Sequence, residues 1–297
     1  DDDMKTSGFG VFGYVSGAEG DPLLENEKVY WDKSLWTYDN TKYWIPDRTF
    51  HFVAYYPYFD GETEGPITSV AANDNGEIGY QLTFETPQTA DFDLLTAYTT
   101  VNTGADDFDA SGPVPLAFNH ELVNVNLNIW RDHGKHQNDQ MRIRNVTLSN
   151  IRKGGTYSSS TDLWEFSNEK LAMEKVYEGG SDDDNIGAAK VNEDGTLETI
   201  TRIGPVTPFN DMMLIPQTLD ESSQVSLRIR YELKRQNAAD WETAELETVL
   251  PNVTWEANRR YTYNVVLSSV TDITVYYIQT KVDPWGTPQV GGTVIIK

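Results

Sequence analysis

Several residue types that carry chemistry are scarce or missing in this sequence. It contains no cysteine, which excludes disulfide bonds, zinc–thiolate centres, iron–sulfur clusters and cysteine nucleophiles. Basic residues are few, since 23 Lys and Arg stand against 46 Asp and Glu in 297 residues, a formal net charge of −23. Such a chain lacks the basic face of a nucleic-acid-binding protein and is poorly suited to anionic lipid. No apolar run reaches the roughly 18 residues of a transmembrane helix.

Sequence motifs of catalysis are also missing. There is no Gly-rich phosphate loop, no G-x-S-x-G nucleophile elbow and no H-E-x-x-H zinc motif. The 46 acidic residues form too many pairs for the acid and base of a glycosidase to be chosen. We therefore name no catalytic residue and no cofactor, and we expect a protein that is not an enzyme.

The four histidines do not form an evident metal site. His133 and His136 lie in a polar stretch typical of a solvated hairpin tip, and as ligands they would need a carboxylate partner. His51 and His120 lie on or beside strand-like segments, where we expect hydrogen-bonded framework residues. No histidine is named as a metal ligand.

One acidic segment, Asp182–Glu193, has part of the spacing of a calcium-binding loop. Its fifth position is Ile186, which has no ligating side chain, and its flanks do not have the pattern of paired helices. A solvated acidic loop is the commoner origin of such a run. We assign no metal here, although a calcium loop of another geometry stays open.

Apolar residues recur with a period of two far more often than with the helical period of 3.6. The segment Val123–Ile129 alternates branched apolar residues with three asparagines, which predicts a half-buried strand with a row of amides on its other face. Only Asn168–Glu178 could form a helix, and its apolar stripe is poor. Further strands are predicted at Val11–Val15, Phe50–Tyr56, Val225–Leu233, Tyr261–Leu267, Ile273–Ile278 and Thr293–Ile296.

Turn-forming dipeptides such as Asn75-Gly76 and Gly154-Gly155 separate many of these segments, as in β-sandwiches. The sequence therefore predicts a mostly β fold. An acidic, proline-containing loop at Asn102–Pro115 places a domain boundary near residue 118. We expect one β-sandwich domain over residues 1–118 and a second over residues 119–297.

Aromatic residues are concentrated between Tyr30 and Trp44. Exposed aromatic platforms are typical of carbohydrate-binding modules, whereas buried rings fill small β cores and close the ends of sandwiches. We favour the core interpretation and keep a surface glycan-binding protein as the alternative function. The six residues are Tyr30, Trp31, Trp36, Tyr38, Tyr43 and Trp44.

Several segments, in order along most of the chain, resemble the fimbrillin (Mfa-like) family, the type V pilus subunits of Bacteroidales-type anaerobes. They combine strand patterns with aromatic residues, an apolar-x-Phe-x-His-x-Leu strand and an Ile-Pro-Gln turn. Family precursors also carry a lipoprotein cysteine and an earlier first strand, which this sequence lacks. The segments are Phe9–Tyr14, Tyr38, Tyr43–Pro46, Phe50–Pro57, Leu116–Val123, Leu214–Leu219, Asn258–Leu267 and Val282–Trp285.

The resemblance implies two tandem transthyretin-like β-sandwich domains and a role as a pilus subunit in adhesion. Its partners would be other copies or related pilins, joined head to tail, with a host or bacterial surface ligand as a further partner. It also implies an outer-membrane lipoprotein precursor, cleavage of an N-terminal segment, and assembly by a donated C-terminal strand. A fimbria at the cell surface is the implied location.

From this resemblance we expect the domain over residues 1–118 to be the acceptor, with Phe9, Val11, Phe12 and Tyr14 on one of its strands. Because the sequence starts shortly before Phe9, we expect a matured or trimmed form with an empty strand position. The candidate donor is residues 289–297, with its β-branched strand at Thr293, Val294, Ile295 and Ile296. The side chains of Val294 and Ile296 would point into the groove, while Ile295 faces out.

Overall fold

Nearly all of the regular secondary structure is β-strand. The computed structural model describes residues 2–17, 21–40, 42–134, 138–177, 186–193, 196–200, 203–267, 275–284 and 293–294. Within these residues the predicted mostly β class is confirmed. Helical structure in these residues consists of α1 (Asp2–Ser7) and one 3-10 turn at Asp74–Gly76, and no helix there is long and apolar enough to span a membrane.

The first fourteen strands are β1 (Phe9–Val15), β2 (Leu24–Trp31), β3 (Trp36–Thr37), β4 (Thr49–Tyr56), β5 (Ile67–Ala72), β6 (Tyr80–Glu85), β7 (Leu95–Asn102), β8 (Val114–Pro115), β9 (Asn119–His120), β10 (Val123–Asp132), β11 (Gln140–Arg152), β12 (Gly154–Ser158), β13 (Leu163–Phe166) and β14 (Lys170–Val176). They are followed by β15 (Ala188–Val191), β16 (Leu197–Thr199), β17 (Val206–Leu214), β18 (Gln217–Leu219), β19 (Ser226–Lys234), β20 (Glu242–Val249), β21 (Val253–Trp255), β22 (Arg259–Leu267), β23 (Val275–Pro284) and β24 (Thr293–Val294).

These strands form four larger sheets. Sheet I has the order β8-β24-β3-β2-β1-β4-β7-β9, and sheet II has the order β13-β12-β6-β5. Sheet III runs β16-β15-β10-β22-β23, with β17 also paired to β10, and sheet IV runs β14-β11-β19-β20. A separate pair joins β18 to β21.

Sheets III and IV enclose one hydrophobic core. Leu127 and Tyr263 come from sheet III, and Leu148 and Leu227 from sheet IV, and all four side chains are buried in the same cluster. The alternation in these strands places every second side chain on the inner face. The two sheets therefore form the C-terminal sandwich.

Sheet I is buried on both faces, as its strand β1 shows. Phe9 and Val11 belong to one core, with Phe50 and Phe52 of β4, while Phe12 and Tyr14 belong to another core shared with sheet II. β1 pairs with β2 along one edge and with β4 along the other. Sheets I and II therefore form the N-terminal sandwich, with α1 contributing the buried Met4 on the outer side.

The N-terminal sandwich contains strands from beyond the expected boundary at residue 118. The hairpin of β12 and β13 pairs with β6, so that Gly155 lies opposite Phe84 and Tyr157 lies opposite Leu82. Tyr157 is buried in the core between sheets I and II. The boundary stays a prediction, but sheet II is built from both sides of it.

The prediction of a turn at Gly154-Gly155 is wrong, because both residues lie within β12. A side chain would not fit there, since a Cβ on Gly155 would lie 2.8 Å from the carbonyl oxygen of Glu165. The lack of a side chain at these glycines therefore lets β12 lie close to its neighbouring strands. Similarly, the segment considered for a helix, Asn168–Glu178, contains strand β14, whereas the Asn75-Gly76 turn is confirmed by the 3-10 turn there.

The strand predicted at Val123–Ile129 is confirmed as part of β10, but its row of amides is not simply exposed. Asn124 and Asn126 are buried along with the apolar face. β10 lies inside sheet III, with β17 on one edge and β22 on the other. The side chain of Asn126 donates to Asn124 at 2.6 Å, and that of Asn124 donates to Asp211 at 3.0 Å. Hydrogen bonding between side chains compensates for their burial.

Candidate functional site

The C-terminal strand β24 does not pair with the C-terminal sandwich. Its backbone lies in sheet I, where Val294 is parallel to Trp36 of β3 and antiparallel to Val114 of β8. The preceding strand, β23, pairs instead with β22 of sheet III. Thr293 and Val294 of the predicted donor are therefore placed in the N-terminal sandwich of the same chain, while Ile295 and Ile296 lie outside the described residues.

The part of sheet I next to β24 is apolar. Trp36 and Val114, which flank β24 on its two sides, are both buried. Below them lies a cavity of about 10 Å³ whose described lining is entirely apolar or aromatic. It is lined by Val11, Leu24, Val29, Tyr38, Phe52, Val114 and Leu116. A strand at this position therefore lies between strands that carry buried apolar side chains.

The four residues predicted for the acceptor strand divide between the two faces of sheet I. Phe9 contacts Trp36 and Phe118 edge to face, with ring centroids 5.1 and 5.2 Å apart, and so supports the region around β24. Val11 lines the small apolar cavity on the same side. Phe12 and Tyr14 face sheet II, where Phe12 stacks on Tyr80 at 5.4 Å and the Tyr14 hydroxyl donates to the Gly79 carbonyl.

Because β1 is paired on both edges, it does not itself offer an edge for a donated strand. The position occupied by β24 is the third from β1 in sheet I, with β2 and β3 between them. The four residues are buried in the structure, and their role in accepting a strand stays a prediction. Pairing partners are long-range contacts that a local pattern does not specify.

The predicted framework histidines are confirmed as hydrogen-bonded. The ring of His51 contacts Ser16 Oγ at 2.8 Å and Tyr98 Oη at 2.9 Å, and burial lowers its pKa. His120 Nδ1 lies 2.8 Å from Asp93 Oδ2. His133 lies in the turn after β10, and His136 lies outside the described residues.

The described part of the possible calcium-binding loop contains few side chains that could bind a metal ion. Asp182 and Asp184 lie outside the described residues, and Ile186 is buried in the core of the C-terminal sandwich. No group of three or more metal-ligating side chains occurs among the described residues.

Most of the aromatic side chains between Tyr30 and Trp44 pack against the core and are not exposed as a binding platform. Trp36 and Tyr38 are buried, and Trp31 and Trp44 pack against the core on the outer side of sheet I. Tyr43 differs, with 81% of its surface exposed. The core interpretation of this segment is therefore confirmed for these four rings.

A cleft that the sequence did not reveal lies between the two sandwiches. It has a volume of about 600 Å³ and is bordered by sheet I, the β12–β13 hairpin and the turn at Ala257–Asn258. Glu121 lines it, and burial raises the pKa of that carboxyl to about 7. The Thr96 hydroxyl donates to Glu121, which opposes this rise. The only sequence signal was a group of three polar residues, Asn119–Glu121, between the apolar residues of Leu116–Val123.

The molecule belongs to the β-sandwich class, because its sheets pack face to face around hydrophobic cores. One of the sandwiches takes strands from distant parts of the chain. A family model for fimbrillin-like proteins matches residues 1–285. The chain therefore belongs to the fimbrillin-like family, and the resemblance seen in the sequence is confirmed. None of the curated protein sequences matches it significantly.

Solved structures share the fold at low sequence identity. A fimbrial protein from Bacteroides vulgatus superposes with a TM-score of 0.69 at 18% identity, covering 96% of this chain and 95% of its own. A proposed cell adhesion protein from Bacteroides ovatus has a TM-score of 0.51 at 17% identity, covering 95% of this chain and 88% of its own. At these identities the likeness concerns the fold.

Proposed function

We propose that this protein is a structural, non-enzymatic subunit of a cell-surface fimbria that assembles head to tail by strand exchange and serves adhesion. Membership of the fimbrillin-like family supports the fimbrial role. The observation that carries the exchange mechanism is the position of β24. It follows a strand of sheet III in the chain, yet its backbone hydrogen bonds are made with sheet I.

A strand in this position satisfies two requirements at once. It pairs with the backbone N–H and C=O groups of β3 and β8, which would otherwise form open edges. It also covers the apolar surface around Trp36 and Val114. Backbone hydrogen bonds and the burial of apolar side chains are also what stabilises other strands that are added to the edge of a sheet.

The same contacts are available between molecules. If the segment left its own sheet I and entered that of a second copy, it would make the same bonds to the second copy's β3 and β8. The number of paired backbone groups would change little. The protein concentration and the ease with which the segment leaves its own sheet would therefore decide whether monomers or polymers form. Such a contact is heterologous, and it propagates a filament when the rotation between copies does not close a ring.

The experiment is removal of the segment followed by its return as a peptide. Deleting residues 289–297 is expected to leave a folded monomer that forms no fibres under conditions in which the intact protein does, as seen by negative-stain microscopy. A synthetic peptide of residues 289–297 should then bind the truncated protein and raise its melting temperature. It should also inhibit fibre growth by the intact protein.

The matched control is the same peptide carrying Val294→Pro. Proline has no N–H and cannot donate in the ladder, so this peptide should neither raise the melting temperature nor inhibit fibres. Fibres formed by the truncated protein would contradict strand exchange through this segment. Unfolding of the C-terminal sandwich on truncation would show that the segment belongs there instead.

The fimbrial role also places the protein at the cell surface, with an outer-membrane lipoprotein as its precursor. Protease treatment of intact cells should then remove the protein while leaving periplasmic markers untouched. Metabolic labelling with a palmitate analogue should mark the precursor and not the assembled subunit. Protection of the protein in intact cells would contradict this location.

A further inference from the structure

We propose that the cleft between the two sandwiches binds a primary ammonium group, as on a lysine side chain of a partner, with Glu121 as its counter-ion. The inference does not depend on strand exchange, because a monomer that never forms fibres would still present the cleft. It concerns recognition by this subunit rather than its assembly.

The cleft has the size and composition of a binding site. Its volume of about 600 Å³ lies within the range of about 300–1,000 Å³ typical of small-ligand sites. Aromatic rings and polar groups both line it. The rings are those of Tyr80, Tyr98 and Tyr157, and the polar groups include Asn119, Ser159 and Asn258.

Glu121 is the group in the cleft that most requires a ligand. Its side chain lies at the end of sheet I, only 7% of its surface is exposed, and its backbone N–H donates to the Leu94 carbonyl at 2.9 Å. One carboxyl oxygen, Oε1, accepts the hydroxyl hydrogen of Thr96. The second oxygen accepts no hydrogen bond from the described residues. A carboxylate can accept about four, so most of its capacity is free.

The charges around Glu121 favour a cation. Asp162 is close enough to raise the pKa of Glu121 further by repulsion, and it accepts the Tyr157 hydroxyl at 2.7 Å. No lysine or arginine is among the described residues that line the cleft. Across the entrance, His120 is paired with Asp93 at 2.8 Å. The site therefore holds one buried carboxyl, Glu121, with the exposed Asp162 nearby and no lysine or arginine among the described lining residues, an arrangement that an incoming ammonium group would complete.

The remaining groups suit the rest of such a ligand. Tyr98 is 57% exposed at the mouth of the cleft, where its ring can cover an aliphatic stem or contact a cation. Asn258 Oδ1 is buried in the wall and has no hydrogen-bond partner, so it is available to accept from an N–H of the ligand. The formal charge of −23 would also attract a basic partner from solution.

Binding must change the protonation of Glu121. The carboxyl is about half protonated near pH 7 in the free protein, and an ammonium group favours its charged form. Lysine binding should therefore release a proton at pH 6 and strengthen as the pH rises towards 8. The other titratable groups facing Glu121 are Asp162, Tyr157, Tyr80 and the His120–Asp93 pair, and the tyrosines stay neutral over this range because burial raises the pKa of both Tyr80 and Tyr157.

The test uses the capped peptide acetyl-Gly-Lys-Gly-amide and its counterpart with norleucine in place of lysine. Binding is followed by NMR titration and by calorimetry in two buffers of different ionisation enthalpy. We expect the lysine peptide to bind at least tenfold more tightly than the norleucine peptide. We also expect a proton to be released at pH 6, and this result needs no variant protein.

Two variants localise the effect. Glu121→Gln should weaken lysine binding at least tenfold and abolish the proton release, whereas the exposed Glu64→Gln should change neither. Equal binding of the two peptides, an unchanged affinity in Glu121→Gln, or an equal loss in Glu64→Gln would each overturn the proposal. So would binding of a neutral saccharide that is unaffected by Glu121→Gln.

Discussion

The two sandwiches use the chain in different ways. Every described strand of sheets III and IV lies between Val123 and Pro284, so the C-terminal sandwich comes from one region of the sequence, which is interrupted by the β12–β13 hairpin of sheet II. The N-terminal sandwich combines strands that end by His120 with the β12–β13 hairpin and with β24. The N-terminal sandwich is therefore the unit that depends on segments distant in its own chain.

Their cores differ as well. The C-terminal sandwich has one cluster, rich in Val, Leu and Ile, between two sheets. The N-terminal sandwich has two clusters, one on each face of sheet I, with many ring-to-ring contacts. Large rings make oriented contacts with several neighbours, so losing one ring affects more than one strand. The predictions below test this contrast, beginning with the largest expected effect.

Truncation of a core ring should destabilise only one sandwich. Phe84 is fully buried in sheet II, with ring centroids 5.8 Å from Phe92 and 6.2 Å from Trp164 of β13. Phe84→Ala should lower the free energy of unfolding of the N-terminal sandwich by about 3–5 kcal/mol. Hydrogen exchange should show faster opening of sheets I and II with sheets III and IV unchanged. Leu227→Ala, in sheet IV, should give the reverse pattern. Uniform loss of protection in both variants would mean that the two sandwiches unfold as one.

Glu121 should make the N-terminal sandwich sensitive to pH. The pKa of this carboxyl is about 7 in the folded protein and 4.5 in the free side chain, so the folded state keeps a proton that the unfolded chain loses. The resulting stabilisation is complete below about pH 4.5, decreases as the pH rises to about 7, and then stays constant. Between these limits the wild type should lose about 3 kcal/mol relative to Glu121→Gln. Denaturant unfolding at several pH values measures the difference, and identical pH profiles for the two proteins would contradict it.

The β12–β13 hairpin gives a third comparison of the two sandwiches, because it follows residue 118 in the sequence but pairs with a strand of the N-terminal sandwich. A Cβ on Gly155 would lie 2.8 Å from the Glu165 carbonyl oxygen, so Gly155→Ala must push β13 away from β12. We expect a loss of about 1–3 kcal/mol, confined to the N-terminal sandwich. Gly65→Ala is the control, since nothing lies within 4 Å of its Cβ position. Thermal unfolding followed by hydrogen exchange would locate the change, and an effect on sheets III and IV would contradict this assignment.

The smallest effect is expected on the surface of the C-terminal sandwich. Arg228 and Glu247 form an ion pair at 3.4 Å, with both side chains more than half exposed. Glu247→Gln should cost less than about 1 kcal/mol, and the difference from wild type should shrink further in high salt. Chemical denaturation at two salt concentrations tests this. A salt-independent loss of several kcal/mol would show that the pair supports the strand pairing of β19 and β20.

Much of the strand content could be read from the sequence. The alternation at Val123–Ile129 and Val225–Leu233 identified β10 and β19, because one apolar face must be buried whichever strands lie beside it. The same reasoning failed at Asn124 and Asn126, whose side chains are buried and joined by hydrogen bonds to one another and to Asp211 of β17. It also failed at Gly154-Gly155, where glycine serves close strand pairing rather than a turn.

The candidate sites were predicted to different extents. The family resemblance selected Phe9, Val11, Phe12, Tyr14 and the C-terminal segment, and of these the structure places Phe9 against Trp36 of β3, beside which Val294 pairs. The family resemblance gave no indication of the cleft at Glu121, because the sequence does not show whether a given carboxyl side chain is buried. The residues that surround it come from β6, β7, β9, the β12–β13 hairpin and the turn before β22.

By itself the sequence determined the local chemistry: an acidic chain without cysteine, made of strands whose inward faces follow from a period of two. The tertiary structure alone decided which strands are neighbours, how the β12–β13 hairpin and β24 enter the N-terminal sandwich, and which carboxyl is removed from water. The physical reason is that side-chain alternation is a local property of the backbone. Strand pairing and burial arise from contacts between residues far apart in the chain, and their free energy depends on the whole arrangement.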